Sequence, residues 1–379
     1  MDSLFVTCSH GLEALLIEEL KQFSIHSVRL GHRGVFIDHW DWNTIYTLNY
    51  ASRLASRVLL PLVLFKCTDR RALYQAGRSI DWTLFLKERD RFAIDSNVHQ
   101  HPLLRNSLFA AQVLKDAICD QIKEKTGSRP SISVEDPDLQ LNLFIHGERG
   151  VISLDTSGIP LHKRGYRQMS VQAPIQENLA AAFLMTAGFT GEGRFFDPCC
   201  GSGTLLIEAA LIATHTPPGY LRQRWGFMHH PAFRQVEWLK VRNQLDEKRI
   251  SLTPGLIAGI DIEPEAVLAT KTNLKAAGFL RLVEVKCADF NSFNPSSPPD
   301  LIITNPPHGK RLGEEQSLKP TYRALGDFMK RQSAKPGRGF IFTTSPFLAK
   351  EIGLAAGRRH IFFQSSVEGR LLEFELLKK

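Results

Sequence analysis

The sequence predicts an α/β protein: a mostly parallel sheet covered by helices, preceded by a separate α+β region. Three observations carry that prediction. From about residue 171, short apolar runs alternate with longer amphipathic ones, the pattern of strands joined by helices. Asp197-Pro198-Cys199-Cys200-Gly201-Ser202-Gly203 stands where one such strand would hand over to a helix. Before residue 157 the pattern differs. Leu139, Leu141, Leu143 and Ile145 alternate there with Gln140, Asn142, Phe144 and His146, so one strand face is apolar.

Taken in order, Ser3–Thr7 is a β-prone run. Leu12, Leu15, Leu16 and Leu20 make a helical stripe with acids opposite, and Val35-Phe36-Ile37 reads as the next strand after the turn residue Gly34. Residues 44–65 continue as a helix and the apolar strand 58–65. A long amphipathic helix is expected over 105–125, where Phe109, Val113, Ala117 and Ile122 recur on one face and Gly127 and Pro130 end it. Strands follow at 132–134, 139–146 and 150–155, with a hairpin turn at 147–150. The later alternation places helices at 176–187, 204–214 and 264–277. Its strands fall at 194–197, 256–261, 282–287 and 300–304, with further strands at 340–344 and 371–377. The stretch 215–250 interrupts this alternation. It carries seven basic against three acidic residues and includes Trp225, Phe227, Phe233 and Trp238.

A chain of 379 residues is long enough for two or three domains. Its net charge of +8 permits an acidic partner such as nucleic acid without requiring one. The excess is not an N-terminal tail, since residues 1–170 hold 21 basic against 19 acidic groups and the remainder 26 against 20. The six cysteines include no CxxC pair, so reduced thiols, no zinc or other metal site and a cytoplasmic location are expected. No signal peptide is read at the N-terminus, and no apolar run reaches membrane-spanning length.

The glycines of 197–203 let backbone approach a ligand closely, and the helix that follows offers unpaired N–H groups at its start. That geometry suits a nucleotide or the carboxylate of S-adenosylmethionine. The loop lacks the lysine of a phosphate-cradling loop, and a bare tight turn would look the same. The strand 256–261 ends in Asp261. An acid there reaches ribose hydroxyls in doubly wound sheets, with Glu263 as the second choice. Asp289, closing the following strand, is placed to accept a bond from an adenine amino group. Read alone, Asp261 serves equally well as a cap for the helix beginning at Pro264.

Asn305-Pro306-Pro307-His308 follows the apolar strand 300–304. An exocyclic amine on a base is a weak nucleophile because its lone pair is conjugated into the ring. The side-chain carbonyl of Asn305 and the backbone carbonyl of Pro306 could accept both of its N–H bonds and free that pair for in-line transfer. Pro306-Pro307 stiffens the turn, and His308 offers a plane for the base to stack on.

These residues, read with others along the chain, resemble the THUMP-containing guanine-N2 RNA methyltransferases, and within them the guanine-N2 part of the bacterial large-subunit ribosomal RNA enzymes. The marks run from end to end. They include Ser3-Leu4-Phe5, Gly11-Leu12-Glu13, 52–57, Arg105-Asn106-Ser107, Leu161-His162, Arg164-Gly165-Tyr166-Arg167, Ala173-Pro174-Ile175, Glu177 with Leu179-Ala180-Ala181, Asp197-Pro198 with 200–210, 224–227 and Asn305-Pro306-Pro307 with Gly309 and Arg311-Leu312. The resemblance implies a ferredoxin-like unit over 1–45, a THUMP RNA-binding domain over 46–157, and a Rossmann-like class I methyltransferase domain over 158–379 with an insertion at 215–250. The implied donor is S-adenosylmethionine, held by Asp197, Pro198, Cys200, Gly201, Ser202, Gly203, Asp261, Glu263, Asp289 and Glu177. The implied catalytic residues are Asn305, Pro306, Pro307 and His308. The implied RNA contacts are Arg53, Arg57, Arg105, Arg164, Arg167, Trp225 and Phe227; in the family pattern 164–167 and 173–177 also help build the donor pocket, residues 222–238 lie over the active site, and Trp225 and Phe227 serve either the base or the core. The family usually has Tyr or Phe where this chain has His308, and commonly Met at Cys199.

The expected partner is large-subunit ribosomal RNA, with no membrane and no obligate protein partner. One activity is expected, because the chain stops where some relatives carry a second methyltransferase domain. Two other readings stand beside this one. The same acceptor motif serves DNA adenine, transfer-RNA guanine or protein glutamine, and a decayed site would leave an RNA-binding protein.

Overall fold

A computed structural model describes residues 3–87, 89–171, 174–309, 312–364 and 367–378, with the backbone alone described at 312–314. The chain divides into two compact units. One comprises Met1–Cys8, Ile17–Leu161 and Arg222–Asn243, the other Ser9–Leu16, His162–Leu221 and Gln244–Lys379.

In chain order the N-terminal elements are β1 (Leu4–Thr7), α1 (Glu13–Gln22), β2 (Val28–Gly31), β3 (Gly34–Ile37), α2 (Trp42–Ala51), β4 (Arg57–Lys66), α3 (Arg70–Arg78), β5 (Arg91–His99), α4 (Ser107–Thr126), β6 (Ser131–Ile132), β7 (Leu139–His146) and β8 (Arg149–Asp155). The strands make one sheet in the order β2-β3-β1-β4-β8-β7-β5-β6. The expected boundary at 45/46 falls inside α2, and β1 pairs antiparallel with β4 across it. In α4 the Asn106 side chain accepts from the N–H groups of Leu108 and Phe109, and Gly127 ends the helix at φ 75°. The alternation of β7 holds, with Leu139, Leu141, Leu143 and Ile145 fully buried. Strand β5 and helix α3 lie where no element was expected.

Part of the insertion packs into this first unit. Phe227 sits 5.0 Å from Tyr46 of α2 and stacks on Trp225 at 5.7 Å, and Trp238 meets Tyr50 at 5.4 Å. Arg222 lies 4.4 Å over the Trp225 ring and donates to the carbonyls of Ser157 and Ile159 at 2.9 Å. A Cβ on Gly226 would fall 2.0 Å from the Asp155 carbonyl oxygen, so only glycine fits there.

The second unit holds α5 (Glu177–Thr186), β9 (Phe195–Asp197), α6 (Thr204–Ala213), β10 (Ile257–Asp261), α8 (Pro264–Ala277), β11 (Glu284–Cys287), β12 (Leu301–Thr304), α9 (Leu312–Gln332), β13 (Gly337–Thr343), α10 (Pro346–Glu351), β14 (Arg358–Gln364) and β15 (Val367–Leu376). Helix α7 (Gln235–Asp246) precedes β10 and carries Trp238. The sheet order is β11-β10-β9-β12-β13-β15-β14. Strands β9 to β13 run parallel, and β15 enters antiparallel between β13 and β14. Phe196, Ile260, Ile302, Ile341 and Phe374 of the sheet form one core with Leu325, Phe328 and Met329 of α9. Strand order reverses at β9, flanked by β10 on one side and β12 on the other. A doubly wound sheet opens its binding crevice at such a point. Among the described residues no helix is long and apolar enough to cross a membrane.

Candidate active site

The donor loop and the acceptor motif lie in the second unit, after the C-terminal ends of β9 and β12, with Asp261 at the end of β10 between them in sequence. Strand β9 ends at Asp197, which is 1% exposed. Its Oδ1 accepts from the Thr304 hydroxyl at 2.7 Å and from the Cys199 N–H at 3.1 Å. Thr304 is the last residue of β12, so this bond ties the end of the glycine-loop strand to the residue preceding Asn305. Burial raises the Asp197 carboxyl from its ordinary 3.8 to about 7. The two hydrogen bonds oppose that rise, and Asp261 adds to it.

The loop is held from both sides. Gly201 and Gly203 take φ 55° and 81°, and a Cβ on Gly203 would come within 2.8 Å of Thr270 Cγ2. The Gly201 N–H donates to Asp261 Oδ2 at 2.8 Å, and its carbonyl accepts from Thr270 at 2.7 Å. Asn273 donates to the Ser202 carbonyl at 2.9 Å. Asp261 Oδ1 accepts the Glu263 N–H at 3.0 Å. Glu263 is the exposed N-cap position of α8, and its side chain makes no capping bond. Asp289 Oδ1 accepts from the backbone and side-chain nitrogens of Asn291. Cys200 is buried, and burial drives the thiols of Cys199 and Cys200 well above their ordinary value, so both are neutral.

Arg164 and Arg167, expected on RNA and also within a segment that helps build the donor pocket, lie inside this unit, which corrects the RNA part of that reading. Arg164 is 1% exposed and paired with buried Glu208, which also accepts from the Tyr166 hydroxyl. Arg167 donates to Glu177 at 2.9 Å, to the Ile175 carbonyl at 2.9 Å, and to the hydroxyls of Ser202 and Thr204 at 3.1 Å. It therefore braces the glycine loop and the first turn of α6, and Glu177 acts through it. Spacing could not separate a buried arginine from a surface one.

At the acceptor motif, Asn305 is half-buried, Pro306 buried and Pro307 exposed. His308 Nε2 lies 2.9 Å from Asn305 Oδ1, and Nδ1 lies 3.1 Å from the Tyr322 hydroxyl of α9. Phe342 of β13 meets the ring edge-on at 5.6 Å. Burial lowers His308 from 6.5 to about 4, so the ring is neutral near pH 7. Sequence reading missed Thr304, Tyr322, Thr270 and Asn273. Each stands on an expected or unrecognised element whose register alone brings it to the site. Ala173 and Arg311, two marks of the resemblance, lie outside the described residues.

The remaining RNA candidates belong to the first unit. Arg57 is half-buried, ion-paired with buried Asp155, and donates to the Gly158 carbonyl. Trp225 and Phe227 are 3% and 0% exposed, so neither ring face is open to a base and the core role holds. The Arg53 backbone N–H donates to buried Glu19 at 2.6 Å. Arg105 is exposed directly before the α4 cap.

Comparison with known proteins bears on this geometry. Residues 164–371 match the RMKL-like methyltransferase domain, residues 67–155 the THUMP domain, and residues 3–59 the RlmL ferredoxin-like domain. The chain belongs to the RMKL-like methyltransferase family. Proteins of Pseudomonas putida and Syntrophotalea carbinolica, both named ribosomal RNA large subunit methyltransferase K/L, are 35% and 36% identical over 98% and 99% of the chain. The chain spans about half the length of these relatives, 52% and 54%. A candidate methyltransferase solved in complex with SAH superposes with a TM-score of 0.87 and 25% identity, covering 100% of this chain and 99% of that one. The class I methyltransferase architecture preceded by ferredoxin-like and THUMP domains, expected from sequence, is the one found. Among the described residues no group of three or more His, Cys, Asp or Glu side chains is placed to hold a metal.

Proposed function

We propose that this RMKL-like chain transfers a methyl group from S-adenosylmethionine to the exocyclic N2 amine of a guanine in large-subunit ribosomal RNA. The observation that carries the reading is the Thr304–Asp197 bond, which sets Asn305 beside the glycine loop. The names of the curated relatives support the RNA class, and the SAH complex of the structural neighbour supports the donor.

The loop residues fit such a donor. Gly201 and Gly203 keep the backbone bare, and a Cβ at Gly201 would meet only Val171 Cγ2, at 3.5 Å. Asp261 stands at the end of β10, where its carboxylate can take ribose hydroxyls while anchoring Gly201. Bound there, S-adenosylmethionine supplies a methyl group activated by a positive sulfur. Asn305 and the Pro306 carbonyl hold the target amine and aim its lone pair, so positioning carries the catalysis. A guanine N2 in a duplex faces the minor groove, so the base must be presented unpaired or flipped out. Arg105 is the exposed arginine among those named for the RNA-binding unit.

The test is transfer of labelled methyl to undermethylated large-subunit rRNA, with nucleoside mass spectrometry of the product. N2-methylguanosine is expected, and Asn305→Ala should lower its rate by about 100-fold or more, the cost of losing a positioned transition-state contact. Methylated adenine in DNA, with none in RNA, would replace this reading.

A further inference from the structure

Asn305, His308, Tyr322 and Thr343 form a continuous hydrogen-bonded chain. Resting on the proposed methyl transfer to an amine, we infer that His308 is a positioning residue whose ring, keyed by Tyr322 and Thr343, sets which end of the Asn305 amide is offered to the target amine.

The protons available along this chain decide the tautomer of the ring. Tyr322 is fully buried, and its hydroxyl is placed to donate to Thr343 Oγ1 at 3.2 Å. Thr343 Oγ1 in turn lies 3.5 Å from the Ser345 carbonyl oxygen and accepts the Ser345 N–H at 3.1 Å. A tyrosine hydroxyl has one proton. With that proton on Thr343, Tyr322 Oη must accept from His308, which requires a proton on Nδ1. A neutral imidazole then has a bare Nε2. The group 2.9 Å from Nε2 must therefore donate, and an amide oxygen cannot. The two ends of an asparagine amide are alike in size, so hydrogen-bond accounting decides between them. The nitrogen end belongs against the ring, and the oxygen is left for the N–H bonds of the substrate. Two other states would let the oxygen stay: a protonated ring, which the burial of His308 disfavours, and the reversed chain, in which Thr343 donates to Tyr322, Tyr322 to Nδ1, and the ring proton sits on Nε2.

The chain also accounts for histidine at a position where a stacking role would be filled as well by a plain aromatic ring. Phenylalanine supplies a plane and no nitrogen. Tyrosine would set a second phenol against that of Tyr322. Only the imidazole links an amide to a buried hydroxyl through two ring atoms about 2 Å apart, one donating and one accepting.

Two measurements on the full chain test this. In histidine-labelled protein at pH 7, long-range nitrogen–proton NMR should find the His308 ring neutral with its proton on Nδ1, its signal assigned by loss in His308→Phe. A ring protonated on Nε2 overturns the inference. Tyr322→Phe should shift the ring toward the Nε2–H form and, like His308→Phe, lower kcat about 10- to 100-fold with little change in KM for RNA, as misaligned reacting groups do. His308→Phe with wild-type kcat would leave stacking as the role of residue 308. The ring spectrum needs no substrate. A chain that methylates no RNA therefore defeats the proposed function, while the tautomer separately decides the inference.

Discussion

Asp197 offers the sharpest thermodynamic test of the site. Its carboxyl is raised from 3.8 to about 7, with burial as the largest cause. A group whose pKa is raised on folding holds its proton more tightly in the folded chain. Its stabilising share is therefore complete below the unfolded value and is lost as pH rises through the folded one. From pH 5 to pH 8 the linkage relation gives a loss of roughly 2.6 kcal/mol from this one group. Asp197→Asn removes the titration but keeps an Oδ1 to accept from Thr304 and Cys199. The variant should therefore lack this share of the pH slope and gain on the wild type as pH rises. For a unit of this size the differential shift in Tm is about 5–10 °C. Calorimetric melting of both proteins at pH 5, 6, 7 and 8, without donor, measures it. Parallel Tm profiles would refute the reasoning, because they would mean that Asp197 is ionised throughout and that its burial is compensated by contacts other than those named.

Two further predictions concern residues that the structure moved out of the RNA set. Arg167→Ala removes four hydrogen bonds that hold Glu177, Ile175, Ser202 and Thr204. Calorimetric affinity for S-adenosylmethionine should fall about tenfold or more, the equivalent of at least one such bond; lost RNA affinity with unchanged donor affinity would return Arg167 to an RNA role. Trp225→Ala empties a packed aromatic cluster and should cost about 3–5 kcal/mol in denaturant unfolding. Stability within about 0.5 kcal/mol of the wild type, combined with weaker RNA binding, would show a surface contact instead.

The parallel sheet, the succession of its strands along the chain as far as β12 and the two motifs were legible in the sequence because each rests on a local rule. Apolar period identifies β9, β10 and β12. Glycine marks the tight turn at Gly201 and Gly203, and Pro264 begins α8 at its first turn. Helix α9 went unread because Pro320 lies inside it and breaks the expected pattern. Strand β5 went unread because Asp95, Ser96 and Asn97 interrupt its apolar residues.

What the sequence determined by itself is the chemistry on offer: an acid and glycines after one strand, and an amide, two prolines and an imidazole after another. Only the tertiary structure decided which of the charged and aromatic residues remain available. Arg164 and Trp225 have side chains that could serve RNA. Arg164 nevertheless pairs with Glu208, 44 residues away, and Trp225 packs against Tyr50, far earlier in the chain. Tyr322 reaches His308 from the middle of a helix that the motif does not announce. Burial and pairing across such separations depend on how sheets and helices stack, and local periodicity carries no record of that.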